Sequence, residues 1–132
     1  MSTPAKQLLG RLGEDAVTRR YAEMGFSVVA RNLHMSHNEI DLILQNESHL
    51  VFAEVKTRHA VRGSRSRYGR PADAVNKAKR ARTVAAVQAY LREHPTTLQP
   101  RIDVADVYVS RLTDGRDEIT DVLIFPNAFG AR

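Results

Sequence analysis

Three residues near the middle of the chain, Asp41, Glu54 and Lys56, have the types and spacing of a metal-dependent hydrolytic site. Carboxylate oxygens bind hard cations such as Mg²⁺, which takes few carboxylates together with water and substrate phosphate oxygens. A lysine beside such a cation can position or deprotonate an attacking water, or stabilise negative charge that develops on a phosphate. The pattern therefore predicts a candidate binding site for Mg²⁺ or Mn²⁺.

Two predicted strands, residues 39–45 and 49–56, must position these side chains. If Glu47 and Ser48 form a two-residue turn, one face of the hairpin is wholly apolar. Its cross-strand pairs are Leu44 with Val51, Leu42 with Ala53, and Ile40 with Val55. A slip of one residue would mix charges into both faces, which favours this register. A longer loop stays open as an alternative, because Glu-Ser is not a favoured turn pair.

On the opposite face, the same register places Asp41 opposite Glu54 and Glu39 opposite Lys56. Opposed Cβ atoms lie about 5 Å apart, and carboxylates that close repel unless a cation or proton lies between them. Glu39 is therefore a further candidate acid. The alternative is a purely structural ion-pair cluster, since Glu39 and Lys56 could pair on any sheet surface. The apolar character of both strands favours a ligand site, because charged groups on covered strands are costly when unpaired.

The remaining elements give the order α-β-β-β-α-β-β, which predicts one mixed α/β domain with a central sheet flanked by helices over residues 1–132. The first helix is predicted over residues 4–24, with Gly25 as its C-cap, and the second from Pro71 to about Glu93. Three further strands are predicted over residues 27–32, 102–109 and 118–125. The apolar stripe of the first helix contains Leu9, Leu12, Ala16, Val17, Tyr21 and Met24.

Positive charge is concentrated between Arg58 and Arg82, where nine basic residues accompany one acid, Asp73. The whole chain has a net charge of only +5, so the remainder is slightly acidic. Such a segment suits a polyanionic partner, which predicts DNA, with residues 58–71 forming a mobile basic loop. The candidate phosphate contacts, each of which could instead be a solvated surface charge, are Arg31, Arg58, Arg62, Arg65, Arg67, Arg70, Lys77 and Arg80.

The composition excludes some classes of site. The chain has no cysteine, which excludes disulfides and thiolate metal centres. It has no apolar run long enough for a membrane span and no signal peptide at its start. A cytoplasmic protein that does not enter the membrane is therefore expected.

Several separated blocks resemble a known family. The spacing from Asp41 to Glu54-Val55-Lys56 resembles the PD-(D/E)xK nuclease signature, and the element order resembles the restriction-endonuclease-like fold of archaeal Holliday-junction resolvases. Residues 8–110 are similar to the bacterial YraN family, also called UPF0102, whose members are generally labelled predicted endonucleases. The matching blocks are Gly10-Arg-Leu-Gly-Glu-Asp-Ala16, Gly25-Phe26, Arg31-Asn32, Glu39-Ile-Asp-Leu-Ile43, Val51-Phe-Ala-Glu-Val-Lys-Thr-Arg58 and Tyr90-Leu91.

The resemblance implies further site residues. Glu14 matches a helix-one glutamate that reaches the metal, and the Val55 carbonyl is implied as an additional ligand. Asn38 stands where the family usually has glycine, which affects the loop before the acids rather than the acids themselves. By analogy with junction-cutting enzymes, a homodimer is a candidate assembly, while the sequence leaves the oligomeric state open.

Two functional hypotheses follow. The first is a metal-dependent endonuclease that hydrolyses phosphodiester bonds of DNA, with branched or junction DNA among its candidate substrates. The alternative is a non-catalytic nucleic-acid-binding module that retains the nuclease fold. A requirement for divalent metal separates the two.

Overall fold

The computed structural model describes residues 4–59 and 77–130, which form a five-stranded sheet with one helix against each face. The predicted order of elements and the mixed α/β class are confirmed. The elements are α1 (Pro4–Glu23), β1 (Ser27–Met35), β2 (Asn38–Gln45), β3 (His49–His59), α2 (Lys77–Glu93), β4 (Gln99–Arg111) and β5 (Asp117–Phe129).

The strands lie in the sheet in their chain order, β1 to β5. The β3–β4 pair is parallel and the other three pairs are antiparallel. Parallel neighbours need a crossover connection, and α2 lies in that connection. β3 is therefore a central strand, with β2 on one side and β4 on the other.

The first helix covers one face of the sheet through its predicted stripe. Ala16, Val17 and Tyr21 are buried there, together with Leu42, Leu44 and Val51 of the sheet. Gly25 has a φ of +91° and its N–H donates to the Ala22 carbonyl at 3.0 Å, as expected for a glycine that ends a helix. Met24 was expected in the stripe but is 48% exposed, because the helix has already ended at Glu23.

A glycine sets how closely α1 approaches β3. A Cβ built on Gly13 would overlap the hydroxyl oxygen of Thr57 on β3. Only glycine permits this packing, so the helix backbone lies directly on the strand that carries Glu54. The next residue along the helix, Glu14, is thereby held near the acids of the hairpin.

The second helix covers the opposite face, against the apolar side chains of β2, β3 and β4. Ala86, Val87 and Tyr90 are buried with Phe52 and Ile102. The sequence pattern predicts an apolar face for this helix that includes Ala78, Ala81 and Ala85, but all three are exposed, so this prediction was wrong in part. The predicted start of this helix at Pro71 lies outside the described residues.

Three boundaries differ from the prediction and affect the site. β1 continues to Met35 and β3 continues to His59, so Arg58 lies on a strand rather than in a loop. The rest of the predicted mobile loop lies outside the described residues. β4 begins at Gln99, within a stretch that was expected to be a connection. Neither of the two described helices is long and apolar enough to span a bilayer.

Candidate functional site

The predicted register of the β2–β3 hairpin is confirmed over its first four pairs. Leu42 pairs with Ala53 and Leu44 with Val51. The turn is closed by the Asn46 N–H, which donates to the His49 carbonyl at 3.1 Å. The Asn46 side chain accepts hydrogen bonds from the Ser48 and His49 N–H groups at 2.9 and 2.7 Å, which offsets the weak turn propensity of Glu-Ser.

The ladder ends at Leu42, one residue before the predicted acid pair. Asp41 opposite Glu54, Ile40 opposite Val55 and Glu39 opposite Lys56 are not ladder partners, so this part of the prediction was wrong. The cause is a break in strand alternation. Ile40 packs in the α2-side cluster, whereas Leu42 packs on the α1 side.

The neighbouring strand contains the same break. Asn32 on β1 has a φ of +51°, a left-handed conformation that asparagine tolerates better than most residues. On either side of it, Arg31 contacts α1 acids and Leu33 packs on the α2 side. The regular β2–β3 pairing therefore ends before Asp41. At this end of the hairpin, the Asp41 side chain accepts a hydrogen bond that a backbone carbonyl would accept in a regular ladder.

Asp41 replaces a backbone acceptor of the ladder. Its Oδ2 accepts the Val55 N–H at 2.8 Å. Burial, and next the Glu54 carboxylate, raise the pKa of Asp41 from 3.8 to about 7. The Glu14 carboxylate raises this pKa further, while the Val55 N–H and Lys79 oppose the increase. Asp41 is therefore a carboxylate whose charge is poorly compensated by its protein surroundings.

Glu54 lies on β3 and is 8% exposed. Its Oε1 lies 3.0 Å from the Lys79 Nζ, which α2 carries in its first described turn. Sequence reasoning had considered Lys79 only as part of the basic segment. Its contact with Glu54 could not be read from spacing, because the two residues lie on different elements, α2 and β3, whose packing fixes the contact.

Glu14 lies on α1, and only 12% of its side chain is exposed. Its Oε1 accepts the Asn32 side-chain N–H at 3.2 Å and lies 3.5 Å from Arg31. Arg31 also contacts Asp15 at 2.8 Å. The structure thus brings Glu14 into the electrostatic environment of Asp41, and it engages Arg31, a predicted phosphate contact, with two acids of α1.

Two predicted site residues have partners other than Asp41 and Glu54. Glu39 is exposed, and its carboxylate lies 3.6 Å from the His34 ring. Lys56 is half-buried on β3, where its partner in the parallel ladder is Asp106. Among the ion pairs of residues 4–59 and 77–130, none joins Lys56 to Asp41 or Glu54.

Arg58 lies two residues beyond Lys56 and is held by a buried acid. Its Nη2 and Nε lie 2.9 and 3.2 Å from the Oδ1 of Asp106, which is fully buried. The guanidinium carbon lies 5.8 Å from the centre of the Tyr108 ring. These contacts fix the Arg58 side chain while leaving 26% of it exposed.

Two of the other predicted phosphate contacts, Lys77 and Arg80, lie on α2. Lys77 is exposed, whereas Arg80 is half-buried and lies 5.6 Å from the Phe129 ring. Four predicted contacts lie outside the described residues, namely Arg62, Arg65, Arg67 and Arg70.

The acidic side chains of this site can be compared with the ligands that a divalent cation requires. Within the described part of the chain, no three His, Cys, Asp or Glu side chains already surround a point where a metal could bind. Mg²⁺ commonly uses one or two carboxylates and completes its shell with water and phosphate oxygens. Asp41 and Glu54, which influence each other electrostatically, fit that requirement. The roles of the Val55 carbonyl and of Glu14 as ligands stay predictions.

Sequence reasoning missed two fully buried acids on β4, Asp103 and Asp106. Asp103 accepts hydrogen bonds from the Tyr21 hydroxyl at 2.6 Å, from Arg101 at 2.9 Å and from the Asn127 N–H at 2.9 Å. A signal was present, because acids within the apolar run of β4 are costly when unpaired. That argument, used for Asp41 and Glu54, applies equally to this strand.

Comparison with known proteins agrees with the motif blocks. A family profile described as "Uncharacterised protein family UPF0102" matches residues 13–107. A UPF0102 protein of Frankia casuarinae is 41% identical over 112 residues, which cover 84% of this chain and 89% of the relative. Another, of Chloroherpeton thalassium, is 30% identical over 123 residues, covering 91% and 92% of the two chains. A third, of Syntrophotalea carbinolica, is 35% identical over 122 residues, covering 92% and 90%. The chain therefore belongs to the UPF0102 family.

Proposed function

We propose that this protein is a metal-dependent endonuclease that hydrolyses phosphodiester bonds of DNA, with branched DNA among its substrates. The observation that carries the proposal is the Asp41 carboxylate. Its pKa is raised to about 7 by burial and by the neighbouring Glu54 carboxylate. A divalent cation bound by both carboxylates would remove that repulsion. The Lys79 ammonium, 3.0 Å from Glu54, offsets the raised pKa of Asp41 only in part.

Asp41 and Glu54 would hold Mg²⁺ or Mn²⁺, and Glu14 would contribute negative charge from α1. The metal would supply a polarised phosphate oxygen and an activated water. Asp41 is oriented for this role by the Val55 N–H, which fixes one carboxylate oxygen and leaves the other available. Lys56 would orient the attacking water or stabilise charge on the phosphate. Arg58, fixed by Asp106, would contact a neighbouring phosphate with its remaining N–H donors.

A direct test combines metal binding with DNA cleavage. Calorimetric titration with Mn²⁺ should give a binding isotherm for the parent and for Glu47→Gln, a control at an exposed turn position, but not for Asp41→Asn. Linear and branched DNA should be cut with Mg²⁺ or Mn²⁺ present, and Glu54→Gln and Lys56→Ala should each lose about a hundredfold or more in rate. Failure to cut either substrate, or variants that cut as fast as the parent, would refute the proposal.

A non-catalytic nucleic-acid-binding module is the second candidate. The 3.0 Å ion pair between Lys79 and Glu54 favours it, because an internal cation already compensates one of the two acids. This candidate predicts DNA binding that weakens steeply with salt and needs no divalent metal. Salt-dependent binding in EDTA, without any Mn²⁺ isotherm, would select it over the endonuclease.

A further inference from the structure

A polar groove lies between α1 and the β1–β2 hairpin, next to the candidate acids. Its volume is about 440 Å³, within the range of small-ligand sites. The residues that line it are Gln7, Gly10, Arg11, Glu14, Asn32 and Glu39. Glu14 belongs both to this groove and to the surroundings of Asp41, so the groove is continuous with the candidate site.

Among residues 4–59 and 77–130, no close packing contact explains the glycine at position 10. It lies in the interior of α1, where glycine is less stable than alanine because it loses more backbone freedom on folding. A Cβ built on Gly10 meets no heavy atom within 4 Å, whereas one built on Gly13 overlaps Thr57. Gly13 is thus explained by the approach of β3, whereas the described residues leave open space over Gly10 that a group from outside the protein could enter.

The chemistry of the lining indicates what approaches. Gln7 and Asn32 present amides, and Glu39 presents an exposed carboxylate that can accept from amino groups of a base. Arg11 adds an exposed guanidinium, which suits a phosphate. A nucleotide combines these features, since its base edge offers donors and acceptors and its phosphate is anionic.

We infer that this groove seats one nucleotide of the substrate strand, next to the phosphate that is cut, with its sugar and base passing over Gly10. The inference rests on the proposed endonuclease function. It assigns Gly10 a steric role, in which the bare helix backbone lets the strand reach Glu14. In this arrangement, Arg11 binds the next phosphate along the DNA strand.

The test fills the groove without touching the acids. Gly10→Gln adds a side chain over the groove, and Ala22→Gln adds the same side chain at an exposed position of α1 that does not line it. Binding of fluorescein-labelled linear and branched DNA is measured by anisotropy with Ca²⁺, which takes the same type of oxygen ligand without requiring turnover. Mn²⁺ affinity and melting temperature are measured on the same preparations.

We expect Gly10→Gln to weaken DNA binding by about tenfold or more, while Ala22→Gln binds like the parent. The Mn²⁺ affinity of Gly10→Gln should stay at the parent value. The melting temperature of Gly10→Gln should not fall, because glutamine favours a helix more than glycine. Unchanged DNA binding by Gly10→Gln overturns the groove assignment but leaves the endonuclease proposal intact. A joint loss of Mn²⁺ and DNA binding also overturns it, since the effect would then lie at the acids. A parent that binds neither Mn²⁺ nor DNA refutes the proposed function and this inference together.

Discussion

Asp41→Asn separates the charge of the candidate site from its geometry. Asparagine keeps an oxygen at the position that accepts the Val55 N–H at 2.8 Å. It removes only the negative charge that burial and the Glu54 carboxylate make unfavourable. In the absence of metal, the substitution should therefore stabilise the protein at a pH where Asp41 of the parent must ionise.

The sign and size follow from linkage. The pKa of Asp41 is raised from 3.8 to about 7, so between these values the unfolded chain has lost a proton that the folded protein still holds. Stability of the parent then falls as the pH rises through this window. At 1.36 kcal/mol per pH unit the whole difference is about 4 kcal/mol. Asp41 is not fully buried, and solvent screening reduces the expected gain in the variant to about 1–3 kcal/mol.

The assay is urea denaturation in EDTA at about pH 8 and about pH 4, followed by circular dichroism, with Glu47→Gln as the control. Asp41→Asn should be more stable than the parent at about pH 8, and the gain should shrink towards zero at about pH 4. Saturating Mn²⁺ should stabilise the parent and leave the variant unchanged. A variant that is less stable at about pH 8, or whose gain does not depend on pH, would refute the reasoning.

Four further substitutions test neighbouring parts of the structure. Tyr21→Phe removes the 2.6 Å hydrogen bond to buried Asp103 and should cost about 1–3 kcal/mol in urea denaturation, so an unaltered midpoint would contradict its assigned contact. Gly13→Ala should lose about 1–3 kcal/mol because its methyl group overlaps a β3 threonine, whereas Gly10→Ala should gain about 0.5–1 kcal/mol, and equal effects would disprove the distinction between the two glycines. Lys79→Met removes the cation beside the β3 glutamate and should tighten Mn²⁺ binding about tenfold in calorimetry, with unchanged affinity as the contrary result.

Periodicity predicted what depends on regular burial. The α1 stripe up to Tyr21 was correct because apolar residues three or four apart share one face of a helix. The first four pairs of the hairpin were correct because successive strand residues alternate between two covered faces. Large apolar side chains, such as Tyr21 on α1 and Leu44 on β2, differ strongly in hydrophobicity from the polar residues of the same elements. A wrong register would have placed charge inside the core, so few alternatives existed.

Periodicity failed to predict the buried face of α2, because the apolar and polar positions of that helix differ little in hydrophobicity. The α2 sequence is rich in alanine, which suits either face, and the predicted face contained Ala78, Ala81 and Ala85. The larger side chains of Val87 and Tyr90 decide the orientation, because they bury more apolar surface than alanine does. Counting every apolar residue equally therefore misplaced the face by part of a turn.

Contacts between distant elements were beyond sequence spacing. Tyr21 and Asp103 lie on α1 and β4, and Arg58 and Asp106 lie on different strands. The need for partners was predictable, since buried acids require them, but the identity of each partner was not. The packing of α1 on the sheet selects Tyr21 for Asp103, and the parallel β3–β4 register brings Arg58 to Asp106. Lys79 belongs to the same class, because its partner is fixed by where α2 crosses the sheet.

The two central acids of the candidate site differ in how the fold compensates them. Glu54 has the Lys79 ammonium at 3.0 Å, whereas the closest compensation for Asp41 is the Val55 N–H, a partial charge. A divalent cation bound between the acids would therefore gain most of its free energy from Asp41 and would compete with Lys79 for Glu54. Removing the Asp41 charge and removing the Lys79 charge should consequently change Mn²⁺ affinity in opposite directions. That opposition distinguishes a cation site from a structural ion-pair cluster, in which neither substitution would alter Mn²⁺ binding.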